Sequence, residues 1–342
     1  MARDKLTFVV AAFNEAETLP LLHRRIAAAV QAAGAAAPDV SMLYVDDGST
    51  DGTWEVLRGI ADADPRVSLL RLSRNFGKEA ALTAGLDHVR EGAALILDAD
   101  GQDPPELFMQ FVAKWREGYD DVYGTRIQRE GETWLKKATA HLFYRLMRRL
   151  SKTPIPVDTG DFRLLSPRAL EALRQLRERH RFMKGLFGWV GFNRVSIPYD
   201  RAPRAAGSSK FGYWRLWNFA LEGITSFTTA PLRLATYIGL VTAMLAFAFA
   251  LWVVFKALLF GDPVAGWPTM MTVILGLGGV QLIALGMIGE YLGRLYMESK
   301  QRPLYLVEDW RPARMGVSSG SGEATGGADH AHREAVAGRE SA

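Results

Sequence analysis

Three short acidic motifs carry the chemistry this sequence offers. Asp98-Ala99-Asp100 ends the apolar run 93–97, and Gln102 lies one alternation further along. Two carboxylates one residue apart at a strand end can converge on one hard divalent cation, Mg2+ or Mn2+, and an amide carbonyl can add a third oxygen. A cation held by so few protein ligands keeps positions open for phosphate oxygens. A bare Asp-x-Asp is also an ordinary solvated turn. The ligand reading gains from two further motifs, Asn14-Glu15 and Asp46-Asp47, at the ends of two other apolar runs. Asp46-Asp47-Gly48-Ser49 equally satisfies turn and helix-cap chemistry, so both readings stand on residues alone.

Several other chemistries are excluded. The 342 residues contain no cysteine, which removes disulfides, zinc fingers, iron–sulfur clusters and a thiol nucleophile. No GxGxxG follows a strand. Gly77-Lys78 is not a phosphate-binding P-loop, because Leu72 stands five residues before Gly77 and Glu79 follows the lysine. A net charge of +4, from 41 basic and 37 acidic side chains, gives no argument for nucleic acid.

The elements that must position these motifs alternate. Apolar strand runs fall at 6–12, 40–45, 67–72 and 93–97, with a short one at 121–124. Helical spacing follows through Leu19, Leu22, Ile26 and Val30, and then over 51–60, 78–89 and 104–115. Short apolar strands separated by helices predict βαβ units and a mostly parallel sheet. Ligands of such sheets bind at the carboxyl ends of the strands, where the acidic motifs fall.

Mean hydropathy is close to zero, high for a soluble domain, because the apolar residues are concentrated. The runs 234–255 and 269–289 contain no charged residue. Each is about 20 residues, enough to cross a hydrocarbon core as a helix. Spans at about 234–256 and 269–291 are therefore predicted, joined by a Pro/Gly-rich turn between Trp252 and Trp267. Arg233 before the first run, and Arg294, Lys300 and Arg302 after the second, place both ends on the cytoplasmic side. The N-terminus reads as a buried strand and not as a signal peptide.

The runs VVAAFNEAETL, VDDGSTDGT, SRNFGKEAALTAGLDH, LDADGQDPPEL and DTGDFRLLSPRAL together resemble the GT-A glycosyltransferases of family 2. Within that family they are most similar to the polyprenyl-phosphate glycosyltransferases, the group of bactoprenol glucosyltransferase and dolichol-phosphate mannose synthase. The likeness covers about residues 5–308. It continues through SSKFGYWRLWNF, both apolar runs and GEYLGRLYMESKQRPLYLV. One departure is Ala12, where the family usually has proline; it loosens a loop beside the nucleotide without removing a functional group.

The resemblance implies roles. Ala12, Asn14, Glu15, Asp46, Asp47, Lys78 and Asp98 would line the nucleotide sugar. Asp98, Asp100 and Gln102 would hold Mg2+ or Mn2+ on its diphosphate. Lys78 reads equally as a surface lysine. Asp161 matches the position of the catalytic base. A phosphate monoester acceptor is largely ionised at neutral pH, so Asp161 would orient it or take a residual proton. Arg126, Arg201, Arg204 and Lys210 would bind the lipid phosphate; as sequence, they also read as a solvated basic loop.

The predicted organisation is a cytoplasmic GT-A catalytic domain over 1–210 and an interfacial amphipathic helix over 211–230, with Trp214, Trp217, Leu221 and Ile224 near one face. Two transmembrane helices within 231–296 follow, then a cytoplasmic extension over 297–314. The tail 315–342 is Gly/Ser/Ala-rich and predicted disordered. Residues 132–150 form a second basic amphipathic segment that faces either the membrane or the domain. The implied reaction transfers a sugar, with UDP-glucose as the favoured donor, to undecaprenyl phosphate at the inner membrane. GDP-mannose, UDP-galactose and UDP-GlcNAc are the alternative donors. A homo-oligomer is expected, with a tetramer as the suggested form, and no nucleic-acid partner. The rival readings are a polysaccharide synthase, whose QxxRW motif is missing here, and a non-catalytic membrane-bound module.

Overall fold

The computed structural model describes residues 4–126, 159–179, 181–200, 237–242 and 266–314, with scattered positions between 244 and 259. The predicted interfacial helix, the basic segment 132–150, the tail and eight scattered residues of the first apolar run lie outside the described residues.

Eight strands form one sheet: β1 (Lys5–Ala12), β2 (Asp39–Asp46), β3 (Val67–Leu72), β4 (Ala93–Asp98), β5 (Asp121–Arg126), β6 (Thr159–Leu165), β7 (Arg194–Tyr199) and β8 (Val307–Arg311). Their order is β7-β5-β6-β4-β1-β2-β3-β8. The pairs β1–β2, β1–β4, β2–β3 and β5–β7 are parallel. β6 runs antiparallel to both β4 and β5, and β8 antiparallel to β3. The central strands read as near-continuous apolar runs because helices cover both faces. Phe8, Val9, Val10, Leu43, Val45, Leu95 and Ile96 are all buried.

The helices are α1 (Leu19–Ala33), α2 (Thr53–Ala63), α3 (Lys78–His88), α4 (Phe108–Arg116), α5 (Pro167–Gln175), α6 (Met183–Trp189) and α7 (Trp267–Ser299). α1 buries Leu19, Leu22 and Ile26, the stripe its spacing predicts. α2 starts at Thr53 and not at 51, because the Asp51 carboxylate accepts the Thr53 N–H at 2.9 Å and closes the preceding turn. The segment predicted as one helix over 104–115 is a 3₁₀ turn, Pro105–Leu107, followed by α4. α3 lies unusually close to the sheet. A Cβ at Gly85 would sit 2.5 Å from Val9 Cγ1 and 3.1 Å from Val45 Cγ2, so only glycine lets the helix approach this far.

β6, β7 and β8 have no counterpart in the sequence reading. β6 carries buried Asp161 and Arg163 inside the strand, which breaks the apolar signal. β8 is a charged edge strand with mostly exposed residues. It brings the chain back from α7 to pair with β3.

α7 covers the second apolar run and extends about one charged decade beyond it, to Ser299. Leu282, Ile283 and Leu285 on it are exposed. Among the described residues no helix is long and apolar enough to cross a membrane. The side chains of 267–269, 271, 272 and 275 lie outside the description.

Candidate active site

The parallel register gathers the acidic motifs at one edge. Ala12 lies opposite Asp46, and Ala11 opposite Asp98, so the carboxyl ends of β1, β2 and β4 open side by side. The loops after β1 and β2 are laced together. The Asn14 N–H donates to Ser49 Oγ at 2.9 Å, the Glu15 N–H to Thr53 Oγ1 at 2.9 Å, and Asn14 Oδ1 accepts the Thr50 N–H at 2.9 Å. These bonds hold Asn14 in the left-handed region, at φ 56°, where asparagine is better tolerated than most residues.

Asp46 and Asp47 are both buried. Asp46 accepts the Ser49 N–H at 3.1 Å and lies 3.3 Å from Arg71 Nε. Asp47 accepts the Phe76 and Gly77 N–H groups at 2.8 and 2.9 Å, fixing the turn that launches α3. Burial raises the pKa of both carboxyls, against the pull of those hydrogen bonds. Ala12 is buried behind them, and its carbonyl accepts the Asp47 N–H at 2.9 Å.

Lys78, the first residue of α3, is the centre of the site. Its Nζ lies 2.6 Å from Asp98 Oδ1 and 2.6 Å from Asp161 Oδ2. Half the side chain is exposed, and the ammonium lies between the two carboxylates. Burial works to lower the Lys78 pKa, but Asp98 and Asp161 outweigh it and raise it. Burial works to raise Asp161, but Lys78 and Lys184 outweigh it and hold the carboxyl well below the usual range. Neighbouring Glu79 is pushed up to about 7, first by burial and then by the Asp161 charge; its Oε2 accepts the Met183 N–H at 3.3 Å.

The turn after β4 holds Asp98, Asp100 and Gln102. Asp100 Oδ1 accepts the Gln102 N–H at 3.1 Å. Arg25 of α1 donates to the Gly101 carbonyl at 2.8 Å and grips Glu106 with two bonds of 2.9 Å. Two carboxylates and an amide form an all-oxygen donor set suited to a hard cation. That a cationic ammonium is already drawn in beside Asp98 shows the local potential to be negative. Asp161 Oδ1 is buried and has no hydrogen-bond partner among the described residues, which leaves it available to a further group. Among the described residues no three or more His, Asp or Glu side chains converge. A metal here would complete its shell from substrate and water, as Mg2+ and Mn2+ commonly do. The residues fit such an ion.

The glycosyl transferase family 2 profile matches residues 7–174, spanning Asn14, Asp46, Lys78, Asp98 and Asp161. Across 305 residues the chain is 47% identical to an uncharacterized glycosyltransferase of Synechocystis, covering 89% of this chain and 95% of that one. The chain belongs to glycosyltransferase family 2. This family 2 glycosyltransferase is also 44% identical to the bactoprenol glucosyl transferase of Shigella phage SfV, over 89% of this chain and 98% of the relative. A prophage bactoprenol glucosyl transferase homolog of Escherichia coli is 42% identical over the same share of this chain. Residues 230–295 match the profile of the GtrB C-terminal hairpin. The GT-A-type sheet and the enzyme class expected from the motifs thus both hold.

Of the residues expected in the glycosyltransferase site, the fold brings Lys78, Asp98 and Asp161 into contact and sets Asp100 and Gln102 in the adjoining turn. Asn14, Glu15, Asp46 and Asp47 line the neighbouring strand ends. The Arg126 backbone ends β5 beside Tyr199 of β7. The side chain of Arg126, and all of Arg201, Arg204 and Lys210, lie outside the described residues. Sequence reasoning missed Glu79, Arg163 and Asp103. Arg163 is buried, 3.2 Å from Asp121, with its guanidinium 3.8 Å from the Phe187 ring centroid. A charged residue inside DTGDFRLL is the one signal that could have marked it.

Proposed function

We propose that the protein is an inverting transferase that moves glucose from UDP-glucose onto undecaprenyl phosphate, at the cytoplasmic face of the inner membrane. The observation that carries this reading is the near end-to-end similarity to bactoprenol glucosyl transferases, which spans the acidic strand ends and the C-terminal hairpin alike. The geometry supports it: a lysine–carboxylate cluster stands where open α/β sheets bind ligands.

In this reading the donor lies across the carboxyl ends of β1, β2 and β4. The loops zipped through Asn14, Glu15 and Ser49 form the nucleotide crevice, and buried Asp46 and Asp47 hold its floor. A phosphate oxygen of the acceptor attacks the anomeric carbon in line. The new C–O bond forms as the bond to the β-phosphate oxygen breaks, and UDP leaves with the electron pair. Asp98, Asp100 and Gln102 would hold Mg2+ or Mn2+, which as a Lewis acid offsets the charge developing on the leaving diphosphate. Lys78 keeps Asp98 and Asp161 apart as ion pairs and presents a positive charge to the diphosphate. Asp161, held ionised, orients the acceptor; the phosphate needs little deprotonation near neutral pH.

The acceptor implies a membrane, and the two apolar runs at about 234–256 and 269–291 serve as spans with both termini cytoplasmic. Arg126, Arg201, Arg204 and Lys210 supply cations for the lipid phosphate, since arginine grips phosphate oxygens bidentately. Gly276, Gly278 and Gly279 permit close contact between spans, in keeping with a homo-oligomer such as a tetramer.

The donor is tested by incubating the purified full-length protein and undecaprenyl phosphate with labelled UDP-glucose, UDP-galactose, UDP-GlcNAc and GDP-mannose in parallel. Label should enter the lipid from UDP-glucose ahead of the others. Preferential transfer from another donor would replace glucose and leave the reaction class standing.

A further inference from the structure

Asp103 lies outside the pair of carboxylates proposed for the metal, yet it is 1% exposed and uses both of its oxygens. One accepts the Tyr199 hydroxyl at 2.8 Å. The other receives the backbone N–H of Asp98 at 3.4 Å. A buried carboxylate is costly unless hydrogen-bonded, so this arrangement fixes the direction of the turn 98–103. Tyr199 is itself held. It is 3% exposed, and its ring meets Phe162 edge-on at 5.4 Å and 84°. A Cβ on Gly124 would stand 2.6 Å from Tyr199 Cε1 and 3.0 Å from Phe162 Cδ1, so β5 carries glycine where the ring lies against it. Phe162 adjoins Asp161 in β6, and Tyr199 is the last residue of β7.

We infer that the Asp103–Tyr199 hydrogen bond is a positioning device that sets the affinity of the Asp98/Asp100 turn for its divalent cation. The pair joins the turn carrying Asp98 and Asp100 to the strands carrying Asp161 and Arg126. Partners that orient ligating groups, and do not themselves bind the ion, govern how well the ion is held. This rests on the proposed metal role of Asp98 and Asp100.

The two bonds can be cut separately. Tyr199→Phe removes the hydroxyl and keeps the ring packed. Asp103→Asn keeps an acceptor for Tyr199 but presents an amide NH2 or a single oxygen where two oxygens were needed. Mn2+ is titrated into the full-length wild type and each variant in detergent without substrate, and free Mn2+ is followed by its electron paramagnetic resonance signal. Each variant should bind Mn2+ roughly tenfold or more weakly. The double variant should be little worse than either single, because the groups act as a unit. In turnover, the Mn2+ concentration for half-activation should rise by more than kcat falls. A thermal melt taken alongside reports folding; a merely structural bond would move the melt and leave Mn2+ affinity within twofold of wild type, and that result overturns the inference. A wild type that binds no Mn2+ overturns the metal reading itself, and this inference with it.

Discussion

Lys78 Nζ stands 2.6 Å from Asp98 and 2.6 Å from Asp161, so one ammonium joins the strand end proposed to hold the metal to the carboxylate proposed to face the acceptor. Two carboxylates this close repel unless a cation lies between them, and burial strengthens the effect. The lysine is thus a condition for both acids being ionised together. Lys78→Met keeps the stem and removes the charge. Turnover should fall by about 100-fold or more, on the scale of losing one preorganised electrostatic contact. Steady-state kinetics at saturating donor, with a thermal melt as a folding control, checks it; activity within threefold of wild type would remove Lys78 from the machinery.

Asp161→Asn separates orientation from proton transfer. The carboxyl is held well below the usual range by Lys78 and Lys184 against burial, so it does not titrate near neutrality. An acid limb in the wild-type rate should then report the second ionisation of the acceptor phosphate, near pH 6. The variant should lower the plateau by about tenfold or more and keep that limb in place. Rates measured from pH 5 to 8 decide it. A limb that vanishes in the variant would assign the titration to Asp161, and an undiminished plateau would leave it no role.

Glu79 makes folding pH-dependent. Its carboxyl is pushed up from an unfolded value of 4.5 to about 7, by burial and by Asp161. Between these values the folded protein holds a proton that the unfolded chain has released, so stability falls as pH rises through the window. The loss across it is on the order of 3 kcal/mol. Glu79→Gln has no proton to lose and retains an oxygen to accept the Met183 N–H. Melting temperatures from pH 4.5 to 8 should show the wild type losing ground to the variant as pH rises. Parallel curves would contradict the placement of this charge.

Much of this was legible in the sequence, and the exceptions have physical reasons. β1, β3 and α3 fall where their apolar runs place them, because strands covered on both faces cannot hide their composition. The acidic residues were correctly put at strand ends. Their orientation was not legible: Asp46 and Asp47 turn inward to bind backbone N–H groups, a matter of loop geometry that residue type leaves open. Lys78 read equally as a surface residue because its partners come from two other strands: Asp98 from the end of β4, and Asp161 from β6, inserted antiparallel beside it. That strand escaped notice because Asp161 and Arg163 are polar residues buried within it, the former against Lys78 and the latter against Asp121. β8 gives an edge-strand pattern of exposed charges, which no alternation rule separates from a loop.

The most direct test of the account asks for the product and its dependence on the acidic turn in one experiment. Purified full-length protein is incubated with UDP-glucose, undecaprenyl phosphate and Mg2+ or Mn2+, and the lipid fraction is analysed by mass spectrometry. Wild type should yield undecaprenyl phosphate carrying one added hexose. That product should be lost on chelation, restored by the added ion, and reduced at least about 100-fold in Asp100→Ala. No glycosylated lipid from wild type with any nucleotide sugar, or undiminished product from Asp100→Ala in the presence of chelator, would contradict it.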